Sequence, residues 1–316
     1  MKGSFGCLFY GRPHSSRESK LRCRLNRDGH APMETSTHAV VGALTKEIMN
    51  AQKLFRITKS LKLDDADAAK KPLSSGDKAH DKLQTDQLAD KIAALQNVFY
   101  AANARKLLVV LQGMDTSGKD GTVSGVFGKI DPLGIRCVPF KTPTAEERAH
   151  DFLWRIHRQI PAQGEIVLFN RSHYEDVLIT RVHGWIDEAE CKRRYAHIRD
   201  FERMLAETGT VLLKFFLHVS KDEQKARLAE RLADPDKHWK FDPEDLKERA
   251  LWPDYQQAYA QALLATDADH APWFMIPADS KTQRNLAIAS ITLEVLEGMK
   301  LAYPQPHPEY AKIKIV

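Results

Sequence analysis

The amino-acid sequence predicts an α/β fold, a parallel sheet flanked by helices on both faces. Three observations predict it. Strand-like and helix-like segments alternate from Lys106 to Leu301. Two strand segments, Leu107–Leu111 and Val211–Val219, are apolar enough to lie buried under helices rather than at a wet face. The first of them leads through Gln112 into a glycine-bounded loop, Gly113 to Gly118, closed by Lys119.

The elements follow in order. Leu83, Leu88, Ile92, Leu95, Val98 and Phe99 recur at helical spacing and predict a helix over Lys78–Ala104. Strands are predicted at Lys106–Gln112, Ile135–Phe140, Glu165–Asn170, Val211–Val219 and Trp273–Pro277. Helices are predicted at Lys119–Lys129, Thr144–Ile160, Asp187–Glu207, Lys221–Leu232, Asp242–Ala265 and Ser280–Leu301. Such alternation builds a parallel sheet with helical crossovers. Residues 46–76 read as an extended arm. Residues 302–316, with Pro304, Pro306 and Pro308, read as a C-terminal strap. Residues 1–45 lack periodicity and read as a disordered basic tail, a transit-like leader or an over-long start.

Charge is unevenly placed. The chain of 316 residues carries a formal +5. Residues 1–32 hold seven Lys or Arg against Glu18 and Asp28, so the remainder is formally neutral. Any basic site in the folded part is therefore local, and a nucleic-acid partner would rest on the tail alone. No apolar run approaches the roughly eighteen residues that span a bilayer. The four cysteines form no CxxC pair and the histidines no HExxH, so neither a disulfide framework nor a zinc site is expected. A reducing, cytoplasmic setting fits this usage.

The chemistry is concentrated in three segments. Strand, Gly-x4-Gly-Lys and helix form a P-loop, in which backbone N–H groups and a helix N-terminus surround phosphate. Gly113, Ser117, Gly118 and Lys119 are the phosphate-binding candidates. The usual Ser/Thr that follows the lysine and holds Mg²⁺ is here Asp120, so another group must help with the metal. Asp115, inside the loop, is the candidate. The second segment is Ile166 to Asp176, where an apolar strand delivers Asn170, Arg171, Glu175 and Asp176 to the carboxyl edge of the sheet. Acidic residues at a helix start offer a purely structural alternative there. The third segment is Lys221 to Lys240. Arg227 and Arg231 share a helix face, and Lys237 and Lys240 follow in a loop. Together they would form a cationic lid over transferring phosphates, or else a solvated charged helix. Arg181 is a further basic candidate. His173 and His183 read as structural, and Trp154, Trp239, Trp252 and Trp273 as packing.

GMDTSGKDG, FNRSHYEDV, RLAERLADPDKHWKF and APWFMIPADSK, in this order, resemble the polyphosphate kinase type 2 family over about residues 53–301. The Asn-Arg-Ser-His-Tyr-Glu-Asp form is similar to its class III branch. The resemblance implies a P-loop kinase core over 46–301 with a helical lid at about 221–245. It also implies Mg²⁺, and reversible phosphoryl transfer between inorganic polyphosphate and AMP or ADP, with adenine or guanine as base. Carried to this chain, it makes Lys119 and Asn170 phosphate contacts. Asp115, Lys119, Arg171, Glu175 and Asp176 become the catalytic set, with Asp115 and Asp176 on the metal. Arg227, Arg231, Lys237 and Lys240 would supply the lid charge. A homo-oligomer, dimer or tetramer, is implied too. Two other functions remain open to the residues: an ATP-dependent P-loop kinase with a small acceptor, and a non-catalytic polyphosphate- or nucleotide-binding protein.

Overall fold

The computed structural model describes residues 50–315. The tail expected to be disordered lies outside the described residues. Five parallel strands form one sheet in the order β2-β3-β1-β4-β5. They are β1 Lys106–Gln112, β2 Ile135–Pro139, β3 Ile166–Asn170, β4 Thr210–His218 and β5 Trp273–Pro277. Leu107 to Leu111 on β1 are fully buried, as are Ile166 to Phe169 on β3. An apolar run with no alternation has nowhere stable to lie except the middle of a doubly covered sheet. The register pairs Leu111 with both Asn170 and Phe215. Neighbouring strands therefore end on one rim.

Helices α1 Ala51–Phe55, α2 Asp65–Ala68, α3 Lys78–Ala102 and α4 Lys119–Phe127 precede β2 in the chain. Helices α5 Ala145–Arg148, α6 Trp154–His157, α7 Ile179–Val182 and α8 Glu188–Glu207 lie between β2 and β4. Then come α9 Lys221–Ala233, α10 Glu244–Ala250, α11 Trp252–Thr266 and α12 Lys281–Gly298. Helices α3, α4 and α12 pack together as one layer, and α7, α8 and α11 as another. Asp77 caps α3 by accepting the Ala79 N–H, and Asn103 ends it in a left-handed conformation.

Three sequence expectations need correction. The helix expected over 144–160 is two four-residue helices. The Asp151 carboxylate accepts the Leu153 N–H at 2.9 Å and starts a new turn between them. The helix expected over 242–265 breaks at Leu251, because Pro253 in the first turn of α11 has no N–H to continue α10. The arm at 46–76 is not merely extended. Ala51, Phe55 and Ile57 are buried in the core. Arg56 makes an antiparallel bridge with Phe274, and the Ile57 N–H donates to Trp273 O, so this segment covers the β5 edge. The strap beyond 302 has little regular structure, and Tyr303, Tyr310 and Ile313 are exposed. Among the described residues, no helix is long and apolar enough to cross a membrane.

A buried polar network fixes the segment after β3. Lys214 Nζ, from the middle of β4, donates to Glu202 Oε2 at 2.6 Å, Tyr174 Oη at 2.9 Å and Thr266 O at 2.9 Å. Glu202 Oε1 also accepts from the Tyr174 hydroxyl at 2.9 Å and lies 3.3 Å from His173 Nε2. Burial pushes Glu202 up, but Lys214 and His173 hold it below the ordinary carboxylate range. His173 and Tyr174 are thereby anchored to α8 and β4, and the residues on either side of them are held at the rim.

Candidate active site

The loop between β1 and α4 approaches its neighbours closely. A Cβ on Gly113 would lie 2.6 Å from Leu217 O, so only glycine lets the loop pass the end of β4. Gly118 has φ +99°, a conformation that side chains resist, and it opens α4 with no side-chain cap. The first N–H groups of that helix face the loop without a competing side chain. Thr116 and Arg171 hold positive φ of 63° and 61° without being glycine. Such strain costs of order 1–3 kcal/mol each and collects at ligand-binding loops.

Lys119 is only 8% exposed, and its Nζ donates to Gly113 O at 2.7 Å and Met114 O at 3.2 Å. Burial, then the nearby Arg171, push it below the usual lysine range. Arg171 bridges from the end of β3 and donates to Asp115 Oδ1 at 2.6 Å. Burial pushes Asp115 up, but Lys119 and Arg171 outweigh it and hold this carboxyl below the ordinary range. Asp115 is therefore ionised at neutral pH although its side chain is only 24% exposed. Glu175 faces the same two cations, yet burial wins and its carboxyl is raised. Asn170 Nδ2 donates to Asp120 Oδ1 at 2.7 Å and ties the end of β3 to the start of α4.

The acidic pair after β3 is divided. Glu175 lies by Lys119 and Arg171, whereas Asp176 pairs with Arg155 at 3.5 Å and is 14% exposed. The short 3-10 turn from His173 to Val177 points adjacent side chains in different directions. Asp115 and Asp176, read together as a metal pair, line different cavities. Arg181 lines neither cavity and lies near Glu188 and Tyr195.

The lid cations differ in what they already hold. Arg227 is buried, with Nη1 on Thr116 O at 2.8 Å and Nη2 on Ala278 O and Asp279 O at 2.7 Å. Its Nε donates to Glu223. Four of its five N–H groups are used, so it clamps the P-loop to the end of β5. Arg231 holds Lys240 O and Asp245, and Lys237 pairs with Glu230 and Asp234. Lys240 lies over the Trp239 ring at 4.8 Å. Trp239, expected as packing, is 79% exposed on the cavity wall. Trp252 and Trp273 are buried as expected.

Two cavities meet beside the P-loop, sharing Phe140, Lys141 and Arg171. The first, of about 730 Å³, runs from Asp115 and Lys119 under Arg231, Lys237 and Lys240. Nine basic side chains line it against five acidic ones. The second, of about 990 Å³, holds Glu175, Asp176, Arg155 and Arg194 beside Phe152, Leu153, Ile179 and Trp185. Its five basic and five acidic side chains balance, and its wall is more apolar. Arg284 and Lys281 of α12 line the first cavity and were not foreseen. A cation one turn into a long helix looks like surface charge until the fold turns that helix end toward the loop.

The family model described as polyphosphate kinase 2 matches residues 75–304. The chain belongs to the polyphosphate kinase 2 family. It is 51% identical over 225 residues to the AMP/ADP-polyphosphate phosphotransferase of Meiothermus ruber, covering 71% of this chain and 84% of that one. It is 40% identical over 245 residues to the ADP-polyphosphate phosphotransferase of Rhodopseudomonas palustris, covering 74% and 84%. Its fold is similar to the crystal structure of polyphosphate kinase 2 from Arthrobacter aurescens. There the TM-score is 0.79 and the identity 45%, covering 81% of this chain and 92% of that one. This polyphosphate kinase 2 thus places the P-loop of a phosphotransferase on a cationic cavity that meets a mixed one at Arg171.

A divalent ion suits the first cavity. Among the described residues no group of three or more His, Cys, Asp or Glu gathers into an all-protein cage. Mg²⁺ does not need one, because it is usually held by one or two carboxylates with waters and substrate phosphates. Of the five carboxylates that line it, Asp115, ionised, and the exposed Asp120 are the two on the P-loop side.

Proposed function

We propose that this polyphosphate kinase moves a phosphoryl group between inorganic polyphosphate and an adenine nucleotide, AMP or ADP, with Mg²⁺. The observation that carries the reading is the contrast between the two cavities that meet at Arg171. A chain of phosphates, charged along its whole length, suits nine basic side chains in one groove. A nucleotide needs an apolar wall for its base and a few cations for its phosphates, which the second cavity offers. The Meiothermus relative, named for both AMP and ADP, supports both acceptors.

Transfer breaks the bond between the terminal phosphorus and its bridging oxygen and forms one from a nucleotide phosphate oxygen to the same phosphorus. Both bonds are phosphoanhydrides when the acceptor is AMP or ADP, so the reaction runs either way. Positioning and charge stabilisation do most of the work in such transfers. Lys119 and the α4 N-terminus would face the group in flight, and Arg171 would bridge donor and acceptor. Mg²⁺, when bound, neutralises charge between the phosphates, and Asp115 would hold it. Glu175 would orient the incoming oxygen. Asp176 would hold Arg155 and Arg194 in place around the nucleotide phosphate.

Polyphosphate with ADP and Mg²⁺, and no other donor, should yield ATP. With AMP in its place it should yield ADP. An enzyme that fails in both assays, yet phosphorylates a small acceptor from ATP, would be an ATP-dependent kinase instead.

A further inference from the structure

Arg284 is unusual among the cations of the first cavity. It is 3% exposed, and no carboxylate lies within ion-pair distance among the described residues. Arg171, Arg231, Lys237 and Lys281 each have an acidic partner. Arg227, also buried, is neutralised by Glu223. Lys240 and Lys141, which have none, are open to solvent, and Lys119, buried and also without one, gives its ammonium to Gly113 O and Met114 O. Burial of an unpaired charge costs several kcal/mol, so a buried guanidinium normally has an anion beside it.

Its hydrogen bonding is also incomplete. The Nε–H and one Nη2–H go to Asn285 Oδ1 at 3.1 and 2.9 Å. One Nη1–H goes to Ser117 O at 3.3 Å. A guanidinium has five N–H groups, so two remain. They belong to a side chain that lies against the P-loop: a Cβ added to Gly118 would fall 1.8 Å from Arg284 Nη1. The lining of the cationic cavity includes this side chain, and Lys281 sits one turn earlier on the same helix at the open rim. Burial and the neighbouring Arg227 draw its pKa down to about 10, which still leaves it charged at neutral pH.

We propose that Arg284 is a phosphate-binding residue of the donor cavity, holding the polyphosphate unit beside the P-loop turn, with Lys281 steering the chain in from the rim. The proposal rests on the reading of this cavity as the polyphosphate site. It assigns the floor of the groove to α12, whereas Lys119 serves from within the loop and Arg231, Lys237 and Lys240 from the lid.

The test is Arg284→Gln and Arg284→Lys, with KM measured separately for polyphosphate and for ADP, and with Tm recorded. Binding of inorganic tripolyphosphate without nucleotide is followed by calorimetry. Loss of a charge-assisted fork should raise KM for polyphosphate at least about tenfold in the Gln variant. KM for ADP should stay within about twofold, since Arg284 does not line the second cavity. Arg284→Lys should recover part of the loss. A Gln variant with lowered Tm but unchanged polyphosphate KM and tripolyphosphate affinity would reduce Arg284 to a loop clamp and overturn the proposal. Should the Gln variant fail to fold, the Lys variant decides by the same two constants. Wild-type enzyme that makes no ATP from polyphosphate would instead defeat the assignment of the cavity itself.

Discussion

At the scale of single residues, the site is a set of opposed charges whose balance depends on a few ångströms. Lys119 and Arg171 together hold Asp115 ionised, and the same two cations do not overcome the burial of Glu175. Replacing Lys119 with Ala should lower turnover at least about 100-fold, the scale of one lost charge-stabilising group. Initial-rate assays with saturating polyphosphate and ADP check this, and near-native turnover would remove Lys119 from the site. Asp115→Asn and Asp176→Asn should part company. The first should shift the Mg²⁺ titration, and the second should raise KM for the nucleotide while leaving that titration in place, because Asp176 faces Arg155 in the other cavity. If both variants move the Mg²⁺ midpoint alike, the separation of the two carboxylates is wrong. Sequence could not show that separation. Glu175 and Asp176 are neighbours in the chain, and only the tight turn from His173 to Val177 gives Glu175 to Lys119 and Arg171 and leaves Asp176 to Arg155, away from Asp115. Arg284 was equally hidden, since its role depends on how α12 meets Gly118.

At the scale of elements, what sequence made legible follows the strength of the local signal. β1 and β5 appear with the expected limits, because an apolar run of five to seven residues between polar breaks admits one placement. The helix expected over 144–160 fails for the opposite reason. Its charged residues could serve either a continuous helix or two short ones, and the Thr144–Glu147 capping box with the turn that Asp151 closes onto the Leu153 N–H selects two. Lys214 was visible only as a charge within a strand, not as the hub that holds the Tyr174 segment. Lys214→Met should therefore cost about 3–5 kcal/mol by stranding Glu202 without its cation, read from urea unfolding. Lys214→Met with Glu202→Leu should recover a large part of that, because both buried charges are gone. Wild-type stability also has a pH signature. The Glu202 carboxyl is held below its unfolded value, so the unfolded state takes up its proton first. Its contribution is complete above the ordinary glutamate range and is lost as pH falls through the depressed value. Unfolding curves across that acid range should be steeper in pH for wild type than for the double variant. Parallel curves would mean that the pair is not ionised.

At the scale of the whole molecule, the charge is arranged rather than abundant. The chain outside its first 32 residues is formally neutral, yet one cavity gathers nine basic side chains and its neighbour balances five with five. A protein that merely carried excess positive charge would bind every anion through its overall field. This one concentrates its field in a groove whose walls and lid exclude part of the solvent. Added salt should therefore act unequally on the two substrates. With Mg²⁺ saturating, raising KCl from about 50 to about 500 mM shortens the screening length severalfold. KM for polyphosphate should rise at least about tenfold, because many phosphates are read at once by partly exposed cations such as Lys237 and Lys240. KM for ADP should rise less than about threefold, because the second cavity adds an apolar wall and has no excess of basic over acidic side chains. The ratio of the two slopes reads out which cavity takes which ligand, and it does so without any substitution. Equal slopes would mean that both substrates are drawn by the same field, and that the contrast between the cavities has no part in telling donor from acceptor.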